Sequence, residues 1–233
     1  MTSQLDNARI RREVKTFYRY VMFSHRWQHI APTFQQVQKI SIYKLPASLT
    51  YIKLQTFCQL ACTLRFQWAW NDTCCVNQLD KGVQQESLVA MFRSYCGTSL
   101  MIVHLLGVLS ESQVSGCLWR SIWNTRGWTY QEYVASEVVQ FYTEDWKPYL
   151  GLDIFNHKES LRILLEMERT MNFVTQELAT LRPGLEMARE KLYLASKRQT
   201  TRCRDSYISV LIFHLFYLSP DCLTVIHSLR TPF

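Results

Sequence analysis

Short apolar runs alternate with longer, patterned stretches as far as residue 142. Phe17-Tyr-Arg-Tyr-Val-Met-Phe23 is rich in aromatic and β-branched residues and predicts a strand, stopping at Ser24-His-Arg-Trp27. Gln67-Trp-Ala-Trp-Asn-Asp-Thr73 predicts a short strand ending in Asp72. Ser99 to Leu109 is the most hydrophobic run and predicts the central strand, and Glu137-Val-Val-Gln-Phe-Tyr142 predicts a fourth. Between the first two, Tyr51, Leu54, Phe57, Cys58, Ala61 and Leu64 recur at steps of three and four. That spacing predicts an amphipathic helix over 48–65 with Ser48 as its N-cap. A second helix is predicted from about Gln84 to Tyr95, and a short helix or loop from Cys117 to Asn124. Residues 28–46, punctuated by Pro32 and Pro46, read as a loop.

Strand, helix, strand, helix, strand, helix, strand is the order of an α/β domain, a parallel sheet with helices on both faces. Functional groups in such sheets gather at the C-terminal ends of the strands. Residues 1–16 form a polar lead-in, and 17–150 form the α/β domain. A helical extension is expected over 151–233; the composition shifts from Asn156 on, and residues 157–200 are helix-forming with one break at Pro183-Gly184. Residues 182–204 carry seven basic side chains against two acidic, read either as a solvated helix face or as a contact surface for acidic partners. Residues 205–219 read as an apolar helix. After about Leu218 the pattern is lost, and the expectation is a truncated or mis-spliced tail.

The totals narrow the function classes. A chain of 233 residues with 48% apolar and 19% charged residues holds a core of ordinary size. The net charge of +7 favours anionic partners without choosing among nucleotides, nucleic acid and acidic lipid. None of the eight cysteines forms a Cys-x-x-Cys pair, so zinc-ribbon spacing is absent. The N-terminus lacks a secretory apolar core, which points to reduced thiols and a cytoplasmic location. The longest apolar run, Tyr207 to Leu218, is too short for the roughly 20 residues of a membrane helix. Neither a GxGxxG nor a Walker A loop occurs, which argues against a Rossmann dehydrogenase or a P-loop enzyme.

The densest chemistry lies in Asn124-Thr-Arg-Gly-Trp-Thr-Tyr-Gln-Glu132. An acid, a cation and an aromatic ring at a strand-to-helix region suit a charged, ring-bearing ligand. Each residue has a plainer alternative. Glu132 is either a site acid or a helix N-terminal acid favoured by the dipole. Trp128 either stacks on a ligand ring or packs under the helix. Arg126 either grips a phosphate or sits in a solvated turn. Asp72 either caps a loop or holds a ribose hydroxyl. Ser24, Arg26 and Trp27 lie at another strand end, where Ser24 either donates to a ligand or closes a turn. His25-x-x-x-His29 has metal-like spacing but no third ligand, so no metal is expected. Adjacent Cys74 and Cys75 read as buried packing.

Three blocks together resemble the motifs of the fungal HET (heterokaryon incompatibility) domain: Tyr20-Val-Met-Phe-Ser-His-Arg-Trp27, Trp68-Ala-Trp-Asn-Asp-Thr-Cys-Cys-Val-Asn-Gln78 with Glu86 downstream, and Arg126-Gly-Trp-Thr-Tyr-Gln-Glu132. Order and spacing both fit, over about residues 17 to 145. His25-Arg26 stands where the family has Tyr-Cys, and Gln28 where it has Gly. The helices that follow resemble the extension of basidiomycete members. HET domains in turn resemble TIR domains, which implies a flavodoxin-like sheet. The third block is similar to the TIR pattern whose glutamate cleaves the nicotinamide–ribose bond of NAD. The resemblance therefore implies Glu132 as the catalytic residue, with Ser24, Arg26, Trp27, Asp72, Arg126 and Trp128 lining a substrate site. NAD enters as a candidate substrate, and no cofactor is implied. Non-self recognition and regulated cell death are the implied process, with self-association or a signalling partner and without nucleic acid. The alternatives are a non-catalytic, self-associating module or an inactive truncated copy.

Overall fold

The computed structural model describes residues 16–28, 31–111, 114–171 and 229–230, with residues 9 and 13 as isolated points. Four parallel strands form the sheet: β1 (Tyr20–His25), β2 (Trp68–Asn71), β3 (Leu100–Leu105) and β4 (Val139–Thr143). Their order is β4-β3-β1-β2, with a two-residue antiparallel strand, β5 (Leu229–Arg230), beyond β2. This is the flavodoxin-like arrangement, in which the chain leaves β1 on one side and returns on the other. All six residues of β3 are buried, as expected of a parallel strand covered on both faces.

The helices between the strands are α1 (Phe34–Lys39), α2 (Leu49–Thr63), α3 (Asp72–Cys75), α4 (Lys81–Gly97), α5 (Cys117–Arg120), α6 (Ile122–Thr125) and α7 (Gly127–Ala135). The expected N-cap of α2 forms, with Ser48 Oγ accepting from the Tyr51 amide. Asp80 caps α4 by accepting from the amides of Gly82 and Val83, so that helix starts earlier than its apolar pattern suggests.

Besides the early start of α4, further boundaries differ from the sequence reading, and β3 stops at Leu105 rather than Leu109. β1 begins at Tyr20 rather than Phe17 and runs on through His25. Its partner β3 sets this register, pairing Val21 with Leu100 and His25 with His104. β2 ends at Asn71, whose side chain accepts from the Thr73 amide, so Asp72 opens a helix instead of closing a strand. Residues 28–46 are not loop throughout. Thr33 and Gln36 form a capping box that starts α1, and a 3-10 turn follows at Ile42–Lys44.

Strand alternation divides the core into two halves. Phe23 and His25 face α2, where the Phe23 ring stacks on Phe57 with centroids 4.3 Å apart. Met22 and Ser24 face the opposite side, with α4 and α7. Register carries the same division across the sheet. Asn71 and His104 lie level with Phe23 and His25, whereas Trp70 and Val103 lie level with Met22 and Ser24.

β4 is an outer strand, yet all five of its residues are buried. Asn156 Oδ1 accepts from the Val139 amide and His157 Nδ1 from the Phe141 amide, closing the outer ladder with side chains. Beyond them, α8 (Leu161–Met171) buries Ile163 and Met167. Its Glu166, also buried, accepts from the amides of Leu118 and Trp119 at the start of α5 (2.9 and 3.4 Å) and from Tyr149 Oη. The first helix of the C-terminal extension is thus part of the domain core. The rest of the predicted extension, its helices from residue 172 onward and the tail after 218 apart from Leu229–Arg230 in β5, lies outside the described residues.

Replacing Glu166 with alanine removes the acceptor of the Trp119 amide and of the Tyr149 hydroxyl and leaves the Leu118 amide with Tyr149 Oη alone. Glu166→Ala is expected to lower the unfolding free energy by about 2 kcal/mol. A urea midpoint unchanged from that of the parent would show that the latch carries no stability.

Candidate functional site

The C-terminal end of β1 is the meeting point of the residues singled out in the sequence. Because successive side chains point to opposite faces, Ser24 and His25 anchor two different clusters. Ser24 Oγ donates to Glu132 Oε2, and Trp123 Nε1 donates to Ser24 Oγ at 2.7 Å. This chain runs from α6 through the strand to α7. Tyr95, on α4, adds its hydroxyl against the same carboxylate. The reason Glu132 reaches the strand is local: α7 is buried from Gly127 to Ala135 apart from the half-buried Trp128, so its second turn points into the protein.

Glu132 is only 6% exposed. Burial pushes its carboxyl up from an ordinary 4.5 to about 7. The Ser24 hydrogen bond, the Arg126 guanidinium and the Tyr95 hydroxyl pull it back down, and the charge of Asp72 pushes it further up. At neutral pH the group sits near its midpoint, able both to hold a proton and to carry a charge.

The second cluster lies on the α2 side. His25 Nδ1 donates to the Arg26 carbonyl (2.9 Å), which leaves Nε2 to accept from Asn71 Nδ2 at 3.1 Å. The Asn71 amide cannot be turned around, because its oxygen already accepts from the amide and the hydroxyl of Thr73. This wiring fixes His25 as the neutral Nδ1–H tautomer. Burial, together with the nearby Lys53 and Arg126 charges, holds its pKa well below the usual value. The 3.8 Å approach of His25 Nε2 to Asp72 Oδ1 is therefore not an ion pair. Asp72 instead accepts from Trp27 Nε1 at 2.7 Å, and burial raises its carboxyl to about 6.

Arg126 joins the two clusters. It occupies the N-cap position of α7 and donates from Nη1 to the His25 carbonyl at 2.6 Å. Its charge lowers both the Glu132 and Asp72 carboxyls. The guanidinium thus grips the end of β1, a role that neither sequence alternative foresaw.

Among the sequence candidates, Ser24, Glu132, Arg126, Asp72 and Trp27 come together around this strand end. Arg26 contributes its carbonyl, which accepts from His25 and from Lys53 Nζ at 3.0 Å, while its side chain is exposed. Trp128 packs half-buried against the hydrophobic core, and no described hydrogen bond or ring contact ties it to Glu132. Trp123, five residues earlier, is the indole that reaches the site. Trp123, Tyr95, Asn71 and Lys53 were missed. Lys53 had a signal, since Lys53, Phe57 and Ala61 step by four along one face of α2. Of the metal-like pair, His25 is committed to Asn71, and His29 lies outside the described residues. Among the described residues no cluster of three or more metal-ligating side chains occurs, and no helix is long and apolar enough to cross a membrane.

The raised Glu132 carboxyl sets the sign of a pH effect. Between about 4.5 and 7 the folded protein keeps a proton that the unfolded chain has already released. Stability therefore falls as pH rises through that window, by roughly 3 kcal/mol in all from Glu132. Asp72 adds to the loss with the same sign between 3.8 and about 6. Glu132→Gln, which cannot ionise, is expected to lose less stability than the parent between pH 5 and pH 8 in denaturant titrations. Equal losses in the two proteins would remove Glu132 from this linkage.

The profile of the heterokaryon incompatibility protein family (HET) matches residues 20–117, which contain Ser24, Lys53 and Asp72 and stop short of Arg126 and Glu132. Vegetative incompatibility protein HET-E-1 of Podospora anserina is 26% identical over 135 residues, which is 54% of this chain. The matched segment spans 10% of that protein's length. No solved structure matches. The first two motif blocks lie inside the matched segment and the third lies on the helix that closes the site, and over residues 20–117 the chain is similar to the heterokaryon incompatibility (HET) domain family.

Proposed function

We propose that this chain is a HET-domain module of fungal non-self recognition and regulated cell death that cleaves NAD at the nicotinamide–ribose bond. The observation that carries this reading is the Glu132 carboxylate, desolvated and aimed by Ser24 at the C-terminal end of β1. Breaking the glycosidic bond of NAD leaves positive charge on the ribose and releases nicotinamide as a neutral ring. Water then adds to the ribose and gives up a proton, so that NAD and water become ADP-ribose, nicotinamide and a proton. An ionised carboxylate beside the ribose stabilises that charge, and it does so more strongly out of water than in it. Arg126 favours the ionised form of Glu132 and supplies a cation of the kind that pairs with a diphosphate. Activity is accordingly expected to rise with pH through about 7, as Glu132 loses its proton. The setting is cytoplasmic, and the partner is a second copy of the chain or a signalling protein that gathers copies together.

A second reading rests on the same carboxylate. At 6% exposure, with Ser24 and Tyr95 against it, Glu132 also serves as an interior latch between α7 and the sheet. In that case the domain is a non-catalytic interaction module. Association through strand addition on the β4 side is disfavoured, because Asn156 and His157 close that edge of the sheet.

Glu132→Gln separates the two readings, since glutamine still accepts from Ser24 but carries no charge. Concentrated protein is incubated with NAD and nicotinamide release is followed. The catalytic reading expects release by the parent and a fall of about 100-fold or more in Glu132→Gln. No release by the parent, or equal release by the variant, sinks it.

A further inference from the structure

Trp123 does more beside Glu132 than fill space. The residue is only 2% exposed, and its ring meets Phe141 edge to face with centroids 5.5 Å apart. An indole has a single polar atom, a donor, and once buried that donor seeks a partner. Here the partner is the Ser24 hydroxyl at 2.7 Å. The backbone of the same residue is engaged as well. Its carbonyl accepts from the Arg126 amide at 3.3 Å and from Thr129 Oγ at 2.8 Å. Arg126 is the N-cap of α7 and Thr129 lies in its first turn, so Trp123 ties down the start of α7 with its carbonyl and reaches β1 with its ring.

The hydroxyl of Ser24 has one hydrogen and two lone pairs. The indole hydrogen takes a lone pair, and the Ser24 hydrogen goes to Glu132 Oε2. Among the described residues no other group is hydrogen-bonded to Ser24 Oγ, and the residue is buried, so a hydroxyl turned away from the carboxylate leaves its hydrogen without an acceptor. Donation therefore runs one way, from indole to hydroxyl to carboxylate. A hydroxyl that accepts on one side becomes a stronger donor on the other. Donation to a carboxylate favours its ionised form. The other groups facing Glu132 are the Tyr95 hydroxyl from α4, the Arg126 guanidinium from the α7 N-cap and the Asp72 carboxyl from α3; the first two favour the charge and the third opposes it. Deleting the indole hydrogen weakens the Ser24 donation and shifts the balance toward the protonated acid.

We infer that Trp123 is a positioning residue of the Glu132 site, whose indole N–H holds the Ser24 hydroxyl as a one-way donor and so keeps the carboxylate aimed and charged. The catalytic meaning of this role rests on the NAD reading, in which the ionised carboxylate stabilises the ribose cation. The role itself is read from the protonation of Glu132 and needs no turnover.

Trp123→Phe keeps an aromatic ring and deletes the donor. The Glu132 carboxyl is followed by carbon NMR of glutamate-labelled protein, as the signal missing from Glu132→Gln. Its midpoint is expected to rise by about half a pH unit or more in Trp123→Phe. In a Ser24→Ala background, where the link is already cut, adding Trp123→Phe is expected to leave the midpoint where Ser24→Ala alone puts it, a coupling that lost packing does not produce. A midpoint that stays or falls in Trp123→Phe, or that rises equally with and without Ser24, overturns the inference. Where nicotinamide release occurs, its pH midpoint is expected to rise together with that signal. Should the chain release no nicotinamide, the NAD reading falls and the Glu132 signal still decides the positioning role. If Trp123→Phe fails to fold, the unaltered chain answers through its tryptophans. One of the seven indole N–H signals is expected to shift as Glu132 titrates and to lose that shift in Glu132→Gln, and the absence of such a signal overturns the inference.

Discussion

The period-two alternation of one strand governs how this molecule places its chemistry. β1 lies between β2 and β3 and is buried from Val21 to His25, so both of its faces are interior. A residue at its C-terminal end has no choice but to face one helical layer or the other. Ser24 faces α7 and meets a carboxylate, while His25 faces α2 and meets an amide. Neighbours in sequence thus serve separate clusters, and only the backbone between them is shared. Arg126 attaches to that shared backbone, which explains how one guanidinium influences carboxyls on both sides.

The two clusters handle burial in different ways. Around Glu132 the protein provides donors to a group that would otherwise stay protonated, and its affinity for a proton ends near neutrality. Around His25 it provides a rigid chain, Thr73 to Asn71 to His25 to Arg26, that keeps the ring uncharged. The first arrangement is poised between two protonation states, and the second is locked in one. Sites that perform chemistry need the former, and sites that frame a cavity are served by the latter.

Much of the sheet was legible in the sequence because buried parallel strands read as dense apolar runs, and all four were found within a few residues of their observed limits. The boundaries were less legible because they are set by partners far along the chain, as with Tyr20 and Leu100, or by side-chain caps such as Asn71 and Asp80. The α1 helix was readable in principle from Thr33 and Gln36, but the prolines nearby dominated the reading. For the candidate site, residue types in the three blocks pointed to the end of β1, where Ser24, Trp27, Asp72, Arg126 and Glu132 meet. They did not disclose which face each side chain takes, since a slip of one residue exchanges the faces. That is why Trp123 and Lys53 went unseen while Trp128, which packs on the core, was favoured. An indole is equally apolar in either role, and a lysine on an amphipathic helix reads as solvated unless its exact step from Phe57 and Ala61 is noticed.

The side chains of Asn156 and His157 that finish the β4 ladder carry a consequence for crowding. Many copies held close together are a hazard for any protein with open hydrogen-bonding strands, since each exposed ladder can template the next and lock the chains into fibres. Along β4 the flank is sealed by side chains, so a crowded neighbour meeting it there finds side-chain surface and no open ladder to extend.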